Sequence, residues 1–133
     1  MKASDILNNH LLKRTSCREG IIETMMLANK ALSENEIREG LVGNYDRTTF
    51  YRSFKTLEEH QIIHKIVVDN QLVKYAIGNT SSRHKNHVHF YCNQCHTVKC
   101  LDVVSDMNIQ LPDGYTQTCV EIVIKGICVT CKQ

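Results

Sequence analysis

Two cysteine pairs, Cys92-Asn-Gln-Cys95 and Cys128-Val-Thr-Cys131, stand near the end of this 133-residue sequence. A CxxC spacing lets two thiolates reach one ion, and two such pairs supply the four sulfurs of a closed tetrahedral zinc site. Four thiolates leave zinc no open position, so the expected ion is structural, one per chain. The competing reading is a set of reduced, buried cysteines that share the spacing by coincidence. Thirty-two residues lie between Cys95 and Cys128, so a sheet must fit between the two knuckles.

A second group of metal-type side chains lies close by. His87 and His89 are two apart and share one strand face, as do Cys100 and Asp102 on the following strand. A hairpin folded at the first knuckle sets His89 opposite Cys100 and His87 opposite Asp102. Imidazoles, a thiolate and a carboxylate together suit zinc or iron(II). The alternative is a pair of exposed strand histidines beside a buried cysteine, and both readings stay open.

A third chemistry belongs to the segment from Arg47 to about His60, which Asp46 is placed to cap. At about 100° per residue, Phe50, Phe54 and Leu57 share one side of a helix. Thr48, Tyr51, Arg52 and Lys55 share the opposite side. Hydroxyl, phenol, guanidinium and ammonium on one stripe suit base edges, thymine methyls and phosphates of double-stranded DNA. For a lone helix, a solvated polar face is the ordinary explanation, so the surrounding elements decide.

Those elements are legible. Ala3–Lys13 carries apolar residues at 3, 6, 7 and 11, as an amphipathic helix does. Thr15 or Ser16 can cap a second helix with Ile21, Ile22, Met25 and Ala28 inward. Ser33-Glu34-Asn35-Glu36 is a capping box opening a third helix, which buries Ile37 and Leu41 and stops near Gly43. His64–Asp69 and Leu72–Ile77 flank Asn70-Gln71 as a short hairpin, with His60 and His64 on the solvent side of its junction. Helices followed by such a hairpin make a winged helix-turn-helix, whose last helix enters the major groove. Beyond it, Val88–Cys92, Thr97–Val104 and Tyr115–Lys125 read as strands, with a turn at Leu111-Pro112-Asp113-Gly114.

Composition divides at the same place. Residues 1–77 hold eleven of the sixteen Lys+Arg and one cysteine, Cys17; residues 78–133 hold the other six cysteines and four of seven histidines. The expected organisation is α+β: a winged-helix DNA-binding domain at 1–77, a hinge at 78–84, and a zinc-stapled strand domain at 85–133. A module this short needs a staple. The net charge of +2 is too small to advertise nucleic-acid binding, so a DNA face must come from local placement. No apolar run is long enough for a bilayer, no secretory h-region opens the sequence, and CxxC pairs fit a reducing compartment. A cytoplasmic protein without membrane association is expected.

In this order and spacing the residues resemble the ferric-uptake-regulator superfamily of bacterial metal-responsive repressors, from about Leu11 to Cys131. Thr15-Ser-Cys-Arg18 resembles the family's Thr-Pro-Gln-Arg segment, and Asp46–His60 resembles its recognition helix. His87-x-His89-x-x-Cys92-x-x-Cys95 and Gly126-x-Cys128-x-x-Cys131 match its C-terminal signatures. The resemblance implies that 85–133 is a small αβ dimerisation domain and that the homodimer binds an AT-rich near-palindromic operator, with Tyr51 and Arg52 touching DNA and Arg18 holding a phosphate. It also exposes departures. Ala31, Ala76, Cys100 and a position near Val120 stand where sensing ligands are usual, and Cys95 is followed by His96 rather than glycine. Only His87 and His89 stay in register.

The leading expectation is a dimeric repressor of metal-uptake or oxidative-stress genes, structurally zinc-dependent and metal-responsive. Its sensing ligands would be His87, His89 and Cys100, with Asp102 or His84 fourth, and zinc favoured as the second, regulatory ion. The alternative is a metal-independent member that binds DNA constitutively. A metalloenzyme with an open His87/His89 site is remote, because no general base or nucleophile sits in an identifiable motif. Cys100 and Cys119 as redox thiols are a further alternative.

Overall fold

The computed structural model describes residues 2–69, 71–78, 86–101, 109–118 and 120–132. The chain divides into two compact units, Met1–Asn79 and Thr80–Gln133. The first holds α1 (Ala3–Asn9), α2 (Ser16–Ala28), α3 (Glu34–Gly40), α4 (Arg47–Glu59), β1 (Ile63–Val67) and β2 (Val73–Ile77). The second holds β3 (Asn86–Cys92), β4 (Val98–Leu101) and β5 (Val120–Gly126). Of the expected hinge at 78–84, all but Gly78 lies outside the described residues.

Side-chain caps set the helix starts. The Thr15 hydroxyl accepts from Arg18 N at 3.2 Å, and Asp46 Oδ1 accepts from Thr49 N at 2.7 Å. Ser33 and Glu36 complete the capping box, with Glu36 N donating to Ser33 Oγ at 3.1 Å and Ser33 N to Glu36 Oε1 at 2.9 Å. Each helix then turns its apolar stripe to one core, where Leu7, Ile21, Ile22, Ile37 and Leu57 are fully buried. Gly40 permits the α2–α3 approach, since a Cβ there would stand 2.7 Å from Thr24 Cγ2.

Two ends differ from the sequence reading. The first helix stops at Asn9 instead of running to Lys13, and Leu11 is 94% exposed. The reason is a Schellman turn: Leu11 takes φ +56°, Leu12 N donates to Leu7 O at 2.9 Å, and Leu11 N to Asn8 O at 3.0 Å. Leu12, not Leu11, packs against the core. α4 ends the same way, with Gln61 at φ +59° and Ile62 N donating to Leu57 O at 2.9 Å. α3 ends at Gly40, before the expected Gly43, because Leu41 is already extended.

The hairpin pairs Ile63 with Ile77 through Val67 with Val73. Tyr75 pins it to the helices. Its backbone exchanges hydrogen bonds with Leu32 at 2.7 and 2.9 Å, and its ring meets Phe54 edge-on at 4.7 Å. Lys74 Nζ reaches Glu36 Oε1 at 2.6 Å, tying β2 to the α3 cap. His60 is exposed, but His64 is half-buried on β1, not on the solvent side as expected.

In the second unit β3 is central, antiparallel to β4 and parallel to β5. Residues 115–118 carry no strand, so the last strand is shorter than the expected Tyr115–Lys125. Tyr115 N instead donates to Pro112 O, completing the turn in which Gly114 has φ +91°. The expected strand positions 102–104 lie outside the described residues. Among the described residues, no helix is long and apolar enough to cross a membrane.

The Glu36–Lys74 pair gives a pH-dependent prediction. Partial burial pulls the Glu36 carboxyl up, but the Lys74 ammonium and the Ser33 donors overcome it and hold its pKa at about 2. A carboxylate depressed in the fold stabilises above its unfolded pKa, about 4.3, and loses that contribution as pH falls toward 2. Its side chain is 41% exposed, which discounts the shift. Glu36→Gln is expected to cost about 1–2 kcal/mol at pH 7 in urea unfolding. The gap to wild type should narrow below about pH 4.

Candidate metal centre and nucleic-acid face

Strand register brings the two cysteine pairs together. β3 and β5 run parallel with Cys92 beside Gly126, so the chain leaving β5 delivers Cys128 next to the end of β3. The β3–β4 connection folds back with Cys92 N donating to Thr97 O at 3.0 Å, and Asn93 N donates to Gly126 O at 2.7 Å. One sulfur from each of Cys92, Cys95, Cys128 and Cys131 lies within 4.8 Å of every other. Zinc–sulfur bonds of about 2.3 Å imply tetrahedral S–S edges of about 3.8 Å. Cys95 and Cys128 Sγ stand 3.8 Å apart. The donor set therefore fits a closed tetrahedral ion.

The electrostatics point the same way. Backbone N–H groups of Cys95 and Cys128, each 3.4 Å from Cys92 Sγ, pull the Cys92 thiol down to about 6. The Thr97 hydroxyl, 3.2 Å from Cys95 Sγ, is foremost in lowering Cys95. Cys131 goes the other way, pushed up to about 12 by the adjoining Cys128 sulfur, then by burial and the remaining sulfurs. Four sulfurs this close cannot all ionise against one another, whereas a divalent cation removes the conflict.

The β3–β4 register sets His89 opposite Cys100, with Cys100 Sγ 3.4 Å from His89 Nδ1. Burial reverses the alternative of exposed histidine and buried cysteine: His89 is 2% exposed, while Cys100 is open to solvent. His87 occupies β3, but its side chain, together with His84, Asp102 and Cys119, lies outside the described residues. Ala31 is buried and Ala76 half-buried, and neither offers a donor atom.

On α4, Phe50, Ser53, Phe54 and Leu57 are buried, while Thr48, Tyr51, Arg52 and Lys55 are exposed. Lys55 Nζ lies 6.0 Å from the Tyr51 ring centroid, so phenol and ammonium form one surface. Arg18 sits in the first turn of α2 and donates from Nη1 to Lys13 O at 2.8 Å. That bond uses one of the guanidinium's five donors. Ser53 escaped the sequence reading, because a small polar residue carries no apolar signal. Thr97 and Tyr91 around the first knuckle escaped it too, since contacts across a turn leave no periodicity, and His96 was noted only as a departure from glycine.

The ferric uptake regulator family model matches residues 9–112. The chain belongs to that family, one of regulators rather than enzymes. Solved structures share the fold. A zinc uptake regulator complexed with zinc and DNA is 20% identical, covering 98% of this chain and 90% of that chain at TM-score 0.66. The Vibrio cholerae ferric uptake regulator is 19% identical, covering 94% and 98% at TM-score 0.64. The Helicobacter pylori ferric uptake regulator, described with three functional metal-binding sites, is 15% identical, covering 100% and 95% at TM-score 0.60. No curated protein matches the chain by sequence.

The Thr97 contact is testable. In zinc-loaded protein taken to lower pH, Thr97→Val should release the ion at a higher pH than wild type, because protons compete better for a Cys95 thiolate that has lost its hydroxyl donor. Elemental analysis after dialysis at each pH reads the shift. An unmoved release profile would show that the hydroxyl does not stabilise the thiolate.

Proposed function

We propose that the protein is a homodimeric, zinc-stapled DNA-binding repressor of metal-uptake or oxidative-stress genes, acting in the cytoplasm. The observation that carries the DNA assignment is the exposed stripe Thr48, Tyr51, Arg52 and Lys55 opposite the buried face of α4. In this reading the first unit is a winged helix with α4 as recognition helix and β1–β2 as wing. The second unit is the dimerisation domain, and 78–84 is the hinge. A zinc uptake regulator of the same fold was solved with both zinc and DNA, which supports the assignment.

The regulatory ion in this reading binds His87, His89 and Cys100, with Asp102 or His84 as fourth ligand. The buried imidazole of His89 beside the Cys100 thiol favours a soft-tolerant ion such as zinc over manganese(II) or iron(II). A ligand of the hinge would tie the ion to the arrangement of the two units, as a switch requires. Donorless Ala31 and Ala76 favour a second reading, in which sensing is lost and DNA binding is constitutive.

The DNA assignment predicts distinct losses. Arg18→Ala and Lys55→Ala should weaken binding to an AT-rich near-palindrome and to random duplex alike, with a shallower salt dependence. Tyr51→Ala should cost about 1–3 kcal/mol on the operator and much less on random DNA. Equal losses on both by fluorescence anisotropy would remove Tyr51 from base recognition.

The metal assignment predicts one tightly held zinc per chain. Cys128→Ser should lose it, together with the dimer and much of the second unit's structure, read by elemental analysis and light scattering. A chelator too weak to strip the four-cysteine site should release operator DNA from the wild type. Unchanged affinity, and again in a His87→Ala/His89→Ala variant, would establish constitutive binding.

A further inference from the structure

We infer that Tyr91 and His96 form a latch that holds the first cysteine knuckle in its metal-binding turn and so slows loss of the ion, an inference resting on the four-cysteine zinc reading above. His96 directly follows Cys95 and takes φ +64°. That left-handed conformation suits glycine and is costly for a residue with a Cβ. The same residue closes the knuckle, since His96 N donates to Cys92 O at 2.9 Å. Its backbone conformation and the placement of Cys92 and Cys95 are therefore one structural fact.

The side chain supplies what offsets the cost. Tyr91 precedes Cys92 on β3 and is held there by pairing with Val98 on one side and Lys125 on the other. Its hydroxyl lies 2.6 Å from His96 Nδ1, with the ring centroids 5.8 Å apart. The phenol donates to Nδ1 when the imidazole carries its proton on Nε2. The bond thus crosses from strand to turn and brackets both metal-binding sulfurs. Metal release requires the knuckle to open, and a latch that disfavours opening reduces the open population. A left-handed cost without the compensating bond corresponds to about a tenfold change in that population.

The test uses the full zinc-loaded chain, transferred to excess EDTA with zinc retained on the protein followed by elemental analysis over time. Tyr91→Phe and His96→Ala should each release zinc about tenfold faster than wild type. His96→Gly should release it at about the wild-type rate, because glycine adopts the turn unaided. Adding Tyr91→Phe to His96→Gly should then change nothing further. Two results would overturn the latch: His96→Gly as fast as His96→Ala, or Tyr91→Phe acting equally in both backgrounds. Wild-type protein that carries no zinc would instead overturn the four-cysteine reading, and the latch with it.

Discussion

Among the described residues of the second unit, the meeting of four sulfur atoms at one point is the constraint on which the strand arrangement depends. Among its described residues, only Val88, His89, Cys92 and Val98 are buried, and Cys92 is itself one of the four. Those described apolar side chains offset little of the entropy of ordering a three-stranded sheet. The parallel register of β3 and β5 is what allows the sulfurs to meet, since a one-residue slip would carry Cys128 away from Cys92. Register and sulfur cluster therefore specify each other.

The first unit solves its stability problem without such help. Its thirteen-residue core cluster draws on all four helices and the start of β1. Capping side chains and two Schellman turns satisfy helix ends locally, which lets short helices such as α3 terminate where packing needs them to. α4 then has one face committed to Phe50, Phe54 and Leu57, and its remaining polar face is not needed for the fold. Tyr75 and Lys74 link the hairpin to that helical body through Phe54, Leu32 and Glu36, so the hairpin's position follows from the same packing that orients α4. A rigid mount of this kind is what a recognition surface requires.

Features that depend on local residue type were legible in the sequence. Ser33 with Glu36, Asp46, and the paired CxxC spacings each announce a short-range geometry, and the structure contains it. Leu11 was misread because helical periodicity continues through a position where the chain has already turned left-handed. The run Tyr115–Thr118 looked strand-like by composition, yet Tyr115 is committed to the turn behind it. The parallel pairing of β3 with β5 was not legible at all, because strand direction depends on connectivity rather than residue pattern. Tyr91 and His96 meet only because a left-handed turn brings them together; glycine's usual place at position 96 hinted at that turn, but nothing in the residue pattern paired it with Tyr91.

The two sulfur-containing groups on the second unit differ in a way that bears on how metal could act there. The four-cysteine cluster combines a thiol pulled down to about 6 at Cys92 with one pushed up to about 12 at Cys131. One sulfur is ready as a thiolate near neutral pH, while the last must release its proton to solvent for a cation to bind it. Once four thiolates surround the ion, no ligand position remains, which suits permanence. The His89–Cys100 pair is a different chemistry, with one buried imidazole and one solvent-open thiol on adjoining strands. Two ligands cannot complete a site, so an ion there needs further donors. A closed cluster can only hold a fold in place, whereas an ion at a two-ligand pair depends on where its further donors lie. That dependence is the physical condition for a switch.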